Sequence, residues 1–230
     1  MRGLLLAIAI GFTLGWIDVS TAQNWDCVPH PDHEKSVVKI TGSNGVSGSG
    51  VVVKKIKDSK NSEGYYLGLV LTASHCVDGM NIMFEVEFFN GKKTKNNKPV
   101  KDLPITFDPD NDLAVIRALI PNDVVPTPMS TEKPECGDQI LMSGYGAGSV
   151  RHWRGTYGGS KVMSGGHIVF SWAIQGDSGG PVIYKGKVIG VICYGSGLNK
   201  YKDTQRMIVA PVNSSSSSRI KSYVDNYSEA

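Results

Sequence analysis

Several things are scarce in this chain, and each scarcity excludes something. Histidine is one: there are five in 230 residues, at His30, His33, His75, His152 and His167. His30 and His33 form an isolated pair without the further ligands a metal centre needs, so that pair reads as a polar terminal segment. Charge bias is also slight. Lys and Arg number 24 against 21 Asp and Glu, a net charge of +3, too weak to argue for nucleic acid. The one basic cluster, Lys92, Lys93, Lys95, Lys98 and Lys101, is interleaved with Asn and Gly and reads as a solvated loop. No glycine-rich phosphate or dinucleotide loop stands between a strand and a helix. The expectation is a protein with no metal, no cofactor and no nucleic-acid partner.

Long apolar runs are missing beyond the N-terminus. Residues 1–22 read as a targeting segment: Arg2 is the basic start, Leu4 to Trp16 is mostly apolar, and Ser20-Thr21-Ala22 offers small residues for cleavage after Ala22. The apolar stretch is short for a transmembrane helix, although an uncleaved anchor is the alternative. The mature chain is expected to be exported (secreted, periplasmic or extracellular), without membrane contact, and monomeric. It is long enough for one large or two small cores.

Cysteines are few as well: Cys27, Cys76, Cys136 and Cys193. In an exported chain four cysteines suggest disulfides, with three connectivities to choose from. The favoured pairing is Cys27–Cys136, which would pin the N-terminal segment to the middle of the chain. Cys76 and Cys193, in apolar strand-like contexts, are then buried thiols or a second bridge.

What is abundant is short β-patterned sequence. Ile82, Phe84, Val86 and Phe88 alternate with polar residues at the period of a half-buried strand. Further β-rich runs are 36–41, 50–56, 65–73, 113–118, 139–143, 167–172, 181–184, 188–194 and 207–212. Turn signals such as Asn90-Gly91 and Tyr184-Lys185-Gly186 separate them. The fold class is all-β, a sandwich or barrel. Pro121, Pro126, Pro128 and Pro134 mark 121–137 as a crossing between a unit at 23–120 and a second at 138–230. Asn213 and Ser214–Ser218 form a connector. Ile220, Tyr223, Val224 and Tyr227 then recur at helical spacing, which predicts a helix packed on the second unit.

The chemistry concentrates in Gln175-Gly176-Asp177-Ser178-Gly179-Gly180-Pro181. A serine hydroxyl becomes a nucleophile only when a base takes its proton and donors receive the oxyanion. Flanking glycines let backbone N–H groups turn against a substrate carbonyl. The run also fits a G-x-S-x-G elbow, but that arrangement needs its histidine after the serine, and no histidine follows Ser178. Upstream stand His75, in Thr72-Ala73-Ser74-His75-Cys76, and Asp112, in Asp110-Asn111-Asp112-Leu113-Ala114-Val115. Asp110 competes with Asp112 but lies in a turn; Asp112 precedes an apolar run and so lies at the edge of a core.

In these three segments and their order the chain resembles the chymotrypsin/trypsin-like serine proteases. The resemblance implies two six-stranded antiparallel Greek-key β-barrels, a site in the cleft between them, and a short C-terminal helix. It implies a triad of His75, Asp112 and Ser178 as base, orienting carboxylate and nucleophile, with the N–H groups of Gly176 and Ser178 as oxyanion hole. It implies polypeptide substrates, with protein inhibitors as further partners. Trp172, Gln175, Cys193, Tyr194 and Gly195 take the places of substrate-binding residues, the last three on a strand that pairs with the peptide.

The departures matter too. Trp172 stands where trypsin-like members with basic specificity carry an acid, so an apolar or small primary pocket is expected. Cys193 replaces the usual serine beside the triad aspartate, and a thiol is a weaker donor. The family's bridge from the cysteine after the histidine has no partner here, because the preceding strand reads Ser47-Gly48-Ser49-Gly50. No Ile-Val-Gly-Gly start is present to supply an ammonium to Asp177 after cleavage. In this the chain is more similar to bacterial and HtrA-type members, and Asp177 needs another partner, for which Arg151 and Arg154 are the candidates. A catalytically silent, protein-binding relative and an esterase on the same scaffold are the alternatives to an endopeptidase.

Overall fold

The computed structural model describes residues 31–43, 45–77, 83–96, 106–108, 111–160, 166–196, 206–212 and 218–227. The first unit is a curled sheet of seven strands: β1 (Val37–Gly42), β2 (Ser47–Lys55), β3 (Tyr65–Ala73), β4 (Phe84–Phe88), β5 (Lys93–Lys95), β6 (Thr106–Asp108) and β7 (Leu113–Pro121). Their spatial order is β5-β4-β1-β2-β3-β7-β6. The second unit is a closed barrel of β8 (Gln139–Gly144), β9 (Arg151–Ser160), β10 (His167–Phe170), β11 (Pro181–Tyr184), β12 (Lys187–Ser196) and β13 (Arg206–Pro211), in the order β10-β13-β12-β11-β8-β9. All named pairings are antiparallel. The second barrel has the six strands expected. The first, among the described residues, is a curled seven-stranded half-barrel, and the pair matches the expected two-barrel fold.

The strands form where period-two apolar patterning allows. Phe84, Val86 and Phe88 are buried while Glu85 and Glu87 are only half-buried. Glu85 and Glu87 sit opposite Lys95 and Lys93 on β5 and pair with them. Lys92 contacts Asp123, so this part of the basic cluster is neutralised locally. Lys98 and Lys101 lie outside the described residues.

Leu69, Leu71, Leu113 and Ile116 have no exposed surface; each such burial contributes about 1.5–3 kcal/mol. The apolar cluster they belong to continues into Ile183, Val188 and Val191 of the second barrel. The two units therefore share packing across their junction.

The terminal helix α1 (Ser218–Asn226) corrects the sequence reading. It buries Ile220 and Val224, as its spacing requires, but against β6 and β7 of the first sheet. Lys54 of β2 donates to its last carbonyls, Val224 at 2.7 Å and Asp225 at 3.0 Å, favourable for a cation at a helix C-terminus. Arg117 of β7 lies 5.5 Å from the Tyr227 ring centroid. The chain thus returns from the second barrel to strap the first.

The disulfide expectations also change. Cys76, Cys136 and Cys193 are free thiols, the first and last buried and Cys136 exposed. A bridge between Cys76 and Cys193 is therefore absent. Cys27, His30, Asp110 and the 1–22 segment lie outside the described residues.

Candidate active site

Register places the base and its carboxylate. Strand β3 pairs with β7 so that Ala73 faces Leu113. Immediately beyond that pair the chain enters a short 3-10 turn, Ser74–Cys76, which carries His75, and on the other side it ends at Asp112. Asp112 has φ of 54°, the left-handed region that Asp tolerates better than most residues. This conformation lets its carbonyl accept the Ser74 N–H at 3.0 Å. Its carboxylate then grips His75 twice, accepting the backbone N–H at 2.9 Å and contacting Nδ1 at 2.7 Å.

The electrostatics follow from that grip. Burial works against the charge on Asp112, but the hydrogen bonds from the His75 ring and backbone outweigh it and hold the carboxyl below its usual range. The His75 ring is pushed above the ordinary imidazole value by its bond to Asp112, then by its contact with the Cys76 thiol, against partial burial. The Cys193 thiol also hydrogen-bonds Asp112. Burial, and next the negative charge of Asp112, keep that thiol firmly protonated. The protonated thiol is thus a donor beside the Asp112 carboxylate.

Ser178 comes from the other barrel. It is the second residue of the later of two β-turns that share Asp177. In the first, Asp177 N–H donates to the Ile174 carbonyl at 3.0 Å with Gly176 at φ 98°. In the second, Gly180 N–H donates to the Asp177 carbonyl at 2.9 Å with Gly179 at φ 83°. Both are type II turns, which require positive φ at their third residue and so select glycine there. Gly179 N–H donates to Ile192 of β12 at 2.7 Å, and Ile192 N–H returns to the Gly180 carbonyl at 2.9 Å. His75, Asp112, Ser178, Gln175, Ile192 and Cys193, with Ala173 and Ile174, line one cleft of about 450 Å³. A larger groove of about 600 Å³, flanked by His33, Pro126, Arg154 and Lys185, contains none of the triad.

Asp177 is fully buried, and its partner is Arg151. Arg151 Nη2 contacts Oδ2, and Nε donates to Oδ1 at 3.3 Å. Gly146 N–H and Ile174 N–H complete the carboxylate, each at 2.8 Å. The guanidinium itself lies against two indoles, 4.5 Å from the Trp153 centroid and 4.1 Å from that of Trp172. The indoles also stack on each other, with centroids 5.9 Å apart. Trp172, expected at the substrate pocket, is therefore engaged as a stacking partner of Arg151 and is not among the residues lining the cleft. Tyr194 and Gly195 lie near the end of β12, paired with Ile208 and Met207.

Sequence reasoning named Arg151 only as one of two candidates and missed Trp153 altogether. The available signal was the spacing of Arg151 and Trp153 on one strand. It also missed Ser49, which meets the Ser178 loop from β2.

Comparison with known proteins agrees with this architecture. The structure resembles the Rv3671c protease from M. tuberculosis in its active form, with a TM-score of 0.56 and 22% identity over 79% of each chain. It resembles an inactive mutant of the same protein with a TM-score of 0.58, at 21% identity, over 86% of this chain and 91% of that one. A serine endoprotease from Yersinia pestis superposes with a TM-score of 0.61, at 17% identity, over 86% of this chain and 68% of the other. No curated protein matches the sequence. Residues 48–191 match the trypsin-like peptidase domain. That match spans more than half of the chain and includes the segments bearing His75, Asp112 and Ser178, so the chain belongs to the family of trypsin-like peptidase domains and is a serine endopeptidase.

Proposed function

We propose that the protein cleaves polypeptides through an acyl-enzyme formed on Ser178. His75 takes the proton from Ser178 Oγ as that oxygen bonds to the substrate carbonyl carbon. The same imidazole then protonates the leaving amine as the C–N bond breaks, and water releases the acyl group by the reverse sequence. Asp112 orients the ring and stabilises the imidazolium. The N–H groups of Gly176 and Ser178 receive the oxyanion. The observation that carries this reading is the double grip of Asp112 on His75, at a cleft which Ser178 lines.

The primary pocket takes small or apolar side chains. Ala173, Ile174 and Ile192 line the cleft, and Asp112 is the only acid among its described lining residues. No new N-terminus is needed for activation, because Arg151 already supplies a cation to Asp177. The protein is exported on its 1–22 segment, and the oxidising conditions outside the cell convert the exposed Cys136, a free thiol in this structure, into a bridge with Cys27.

Labelling of the purified protein with a fluorophosphonate, with Ser178→Ala as control, tests this. Stoichiometric labelling that disappears in the mutant is expected. A folded wild type that does not label would sink the reading.

A further inference from the structure

Ser49 lies on β2 of the first sheet, yet most of its bonds reach the second barrel. It has no exposed surface. Its N–H donates to the Ser178 carbonyl at 2.7 Å. Its hydroxyl donates to the Gly176 carbonyl at 2.6 Å, and the same oxygen accepts the Tyr145 N–H at 2.8 Å. Its own carbonyl accepts the Thr72 hydroxyl at 2.7 Å. Thr72 is on β3, three residues before His75, and Tyr145 precedes Gly146, whose N–H holds Asp177. One residue, through its side chain and the peptide groups on either side, thus joins the base-bearing strand, the nucleophile loop and the Asp177 anchor.

We propose that Ser49 is a positioning residue for the oxyanion hole, a clamp applied by one barrel to the other. The proposal rests on the reading of Ser178 as nucleophile with the Gly176 and Ser178 N–H groups as donors. An oxyanion needs a space faced by N–H groups and by no carbonyl, because a carbonyl dipole aimed at the developing charge would oppose it. Gly176 and Ser178 each carry a carbonyl, and Ser49 holds both toward β2. The loop does not enforce this alone. Gly176 and Gly179 are the residues with the freest backbones, and a loop rich in glycine has other conformations open to it. The clamp is also close-fitting: a Cβ on Gly179 would collide with the Ser49 carbonyl and the Thr72 hydroxyl.

The hydroxyl is what the clamp needs at this position. It is one donor and an acceptor in a single small group, and here both functions are used. Alanine would keep the N–H bond to Ser178 but release the Gly176 carbonyl and leave the Tyr145 N–H without its acceptor.

Steady-state kinetics of Ser49→Ala on a peptide p-nitroanilide with alanine at the cleaved bond tests the assignment. Two affinities are measured beside it: for a peptide boronate, which forms a tetrahedral adduct, and for the product peptide acid. The expected result is a kcat lowered about ten- to a hundredfold, with boronate affinity falling in parallel. KM and product affinity stay within about twofold, since the lost interaction acts only on the transition state. Ser49→Thr, which keeps the hydroxyl, recovers most of kcat. Ser49→Cys, with a weaker donor, falls between and serves if the alanine variant does not fold. An unchanged kcat in an active background overturns the assignment alone, as does equal weakening of boronate and product, which is the mark of a merely structural residue. A wild type that neither turns over nor labels with fluorophosphonate overturns the Ser178 reading, and the assignment falls with it.

Discussion

Asp112 and Arg151 are two charged residues with opposite demands on their surroundings. Asp112 must stay ionised beside a ring that changes charge during turnover. Its hold on His75 raises the imidazole above its ordinary value, so the neutral base appears only as pH rises past that raised value. The kcat/KM profile should accordingly ascend with a midpoint above about 6.5. Asp112→Asn removes the negative charge, so the midpoint should move to lower pH. The plateau should drop on the order of 10⁴-fold, because an amide can hold the wrong tautomer. A pH–rate series on both proteins decides it, and an unmoved midpoint in the variant would mean that another group governs the limb. Arg151 answers a different need. Asp177 has no exposed surface, and removing one partner of a buried pair costs about 3–5 kcal/mol. Arg151→Met should therefore lose stability in a denaturant titration and lose fluorophosphonate labelling with it. Arg151→Lys should rescue only in part, because it keeps the charge but loses the planar fork and the face-on contact with Trp153 and Trp172. Full activity in the methionine variant would show that Asp177 does not shape the nucleophile loop.

At the scale of elements, the hairpin of β2 and β3 brings Gly48 against Cys76. A Cβ built on Gly48 would stand 3.3 Å from the Cys76 Cβ and 2.7 Å from its Sγ. That is close to the separation of about 3.5–4.5 Å found across disulfides. Gly48 has no positive φ, so an L-residue meets no backbone penalty there. Gly48→Cys should then bridge to Cys76 under oxidising conditions. Closing the loop between them should add about 3–4 kcal/mol relative to the reduced form. Thiol counting and melting with and without reductant check this; oxidation that removes no pair of thiols beyond those lost in the wild type, or a lower melting point when oxidised, would refute it. The same strands show what was legible beforehand. Runs at 65–73 and 181–184 coincide with β3 and β11 because β-branched and aromatic residues lie between clear turn signals. β9 went unread, although Trp153, Gly155 and Tyr157 are buried and alternate with exposed Arg154 and Thr156. Its two arginines and three glycines lower local β propensity, and burial in the closed barrel overrides it. β5 and β6 are three residues each, too short to carry a period. The site was legible because its three segments are local motifs. Ser49 was not, since its role consists of bonds to residues about a hundred positions away.

For the whole molecule, the junction between the barrels contains buried histidines that report on acid. His33 sits on the N-terminal 3-10 turn, Asp32–Ser36, and reaches Ser143 of β8 at 2.7 Å. The Ser143 hydroxyl is also 2.7 Å from His152 Nδ1 on β9, and His152 faces Glu34 at 3.9 Å. This network ties the N-terminal turn to the second barrel one residue away from Gly144 and Arg151, which pack on Asp177. Burial, and then the neighbouring His152, lower the His33 pKa to about 4, despite the opposing charges of Asp32 and Glu34. Burial, and then Lys133, lower His167 to about 4 as well. In the unfolded chain both would titrate near 6.5. The folded state therefore binds fewer protons than the unfolded state below that value, so stability falls with falling pH. The loss begins near 6.5 and is complete at about 4, where the folded histidines themselves protonate. It amounts to a few kcal/mol for the two together. Asp112, held below its usual range, contributes in a separate and more acidic window. A melting series from pH 7 to pH 5 should show a steady decline, above the ordinary carboxylate range. His33→Gln should reduce that decline to the part His167 contributes while leaving the more acidic loss in place, because glutamine can still hydrogen-bond Ser143 without acquiring a proton. A melting temperature constant down to pH 5 in the wild type would mean that these histidines protonate without strain, and that the N-terminal turn is not latched by their neutrality.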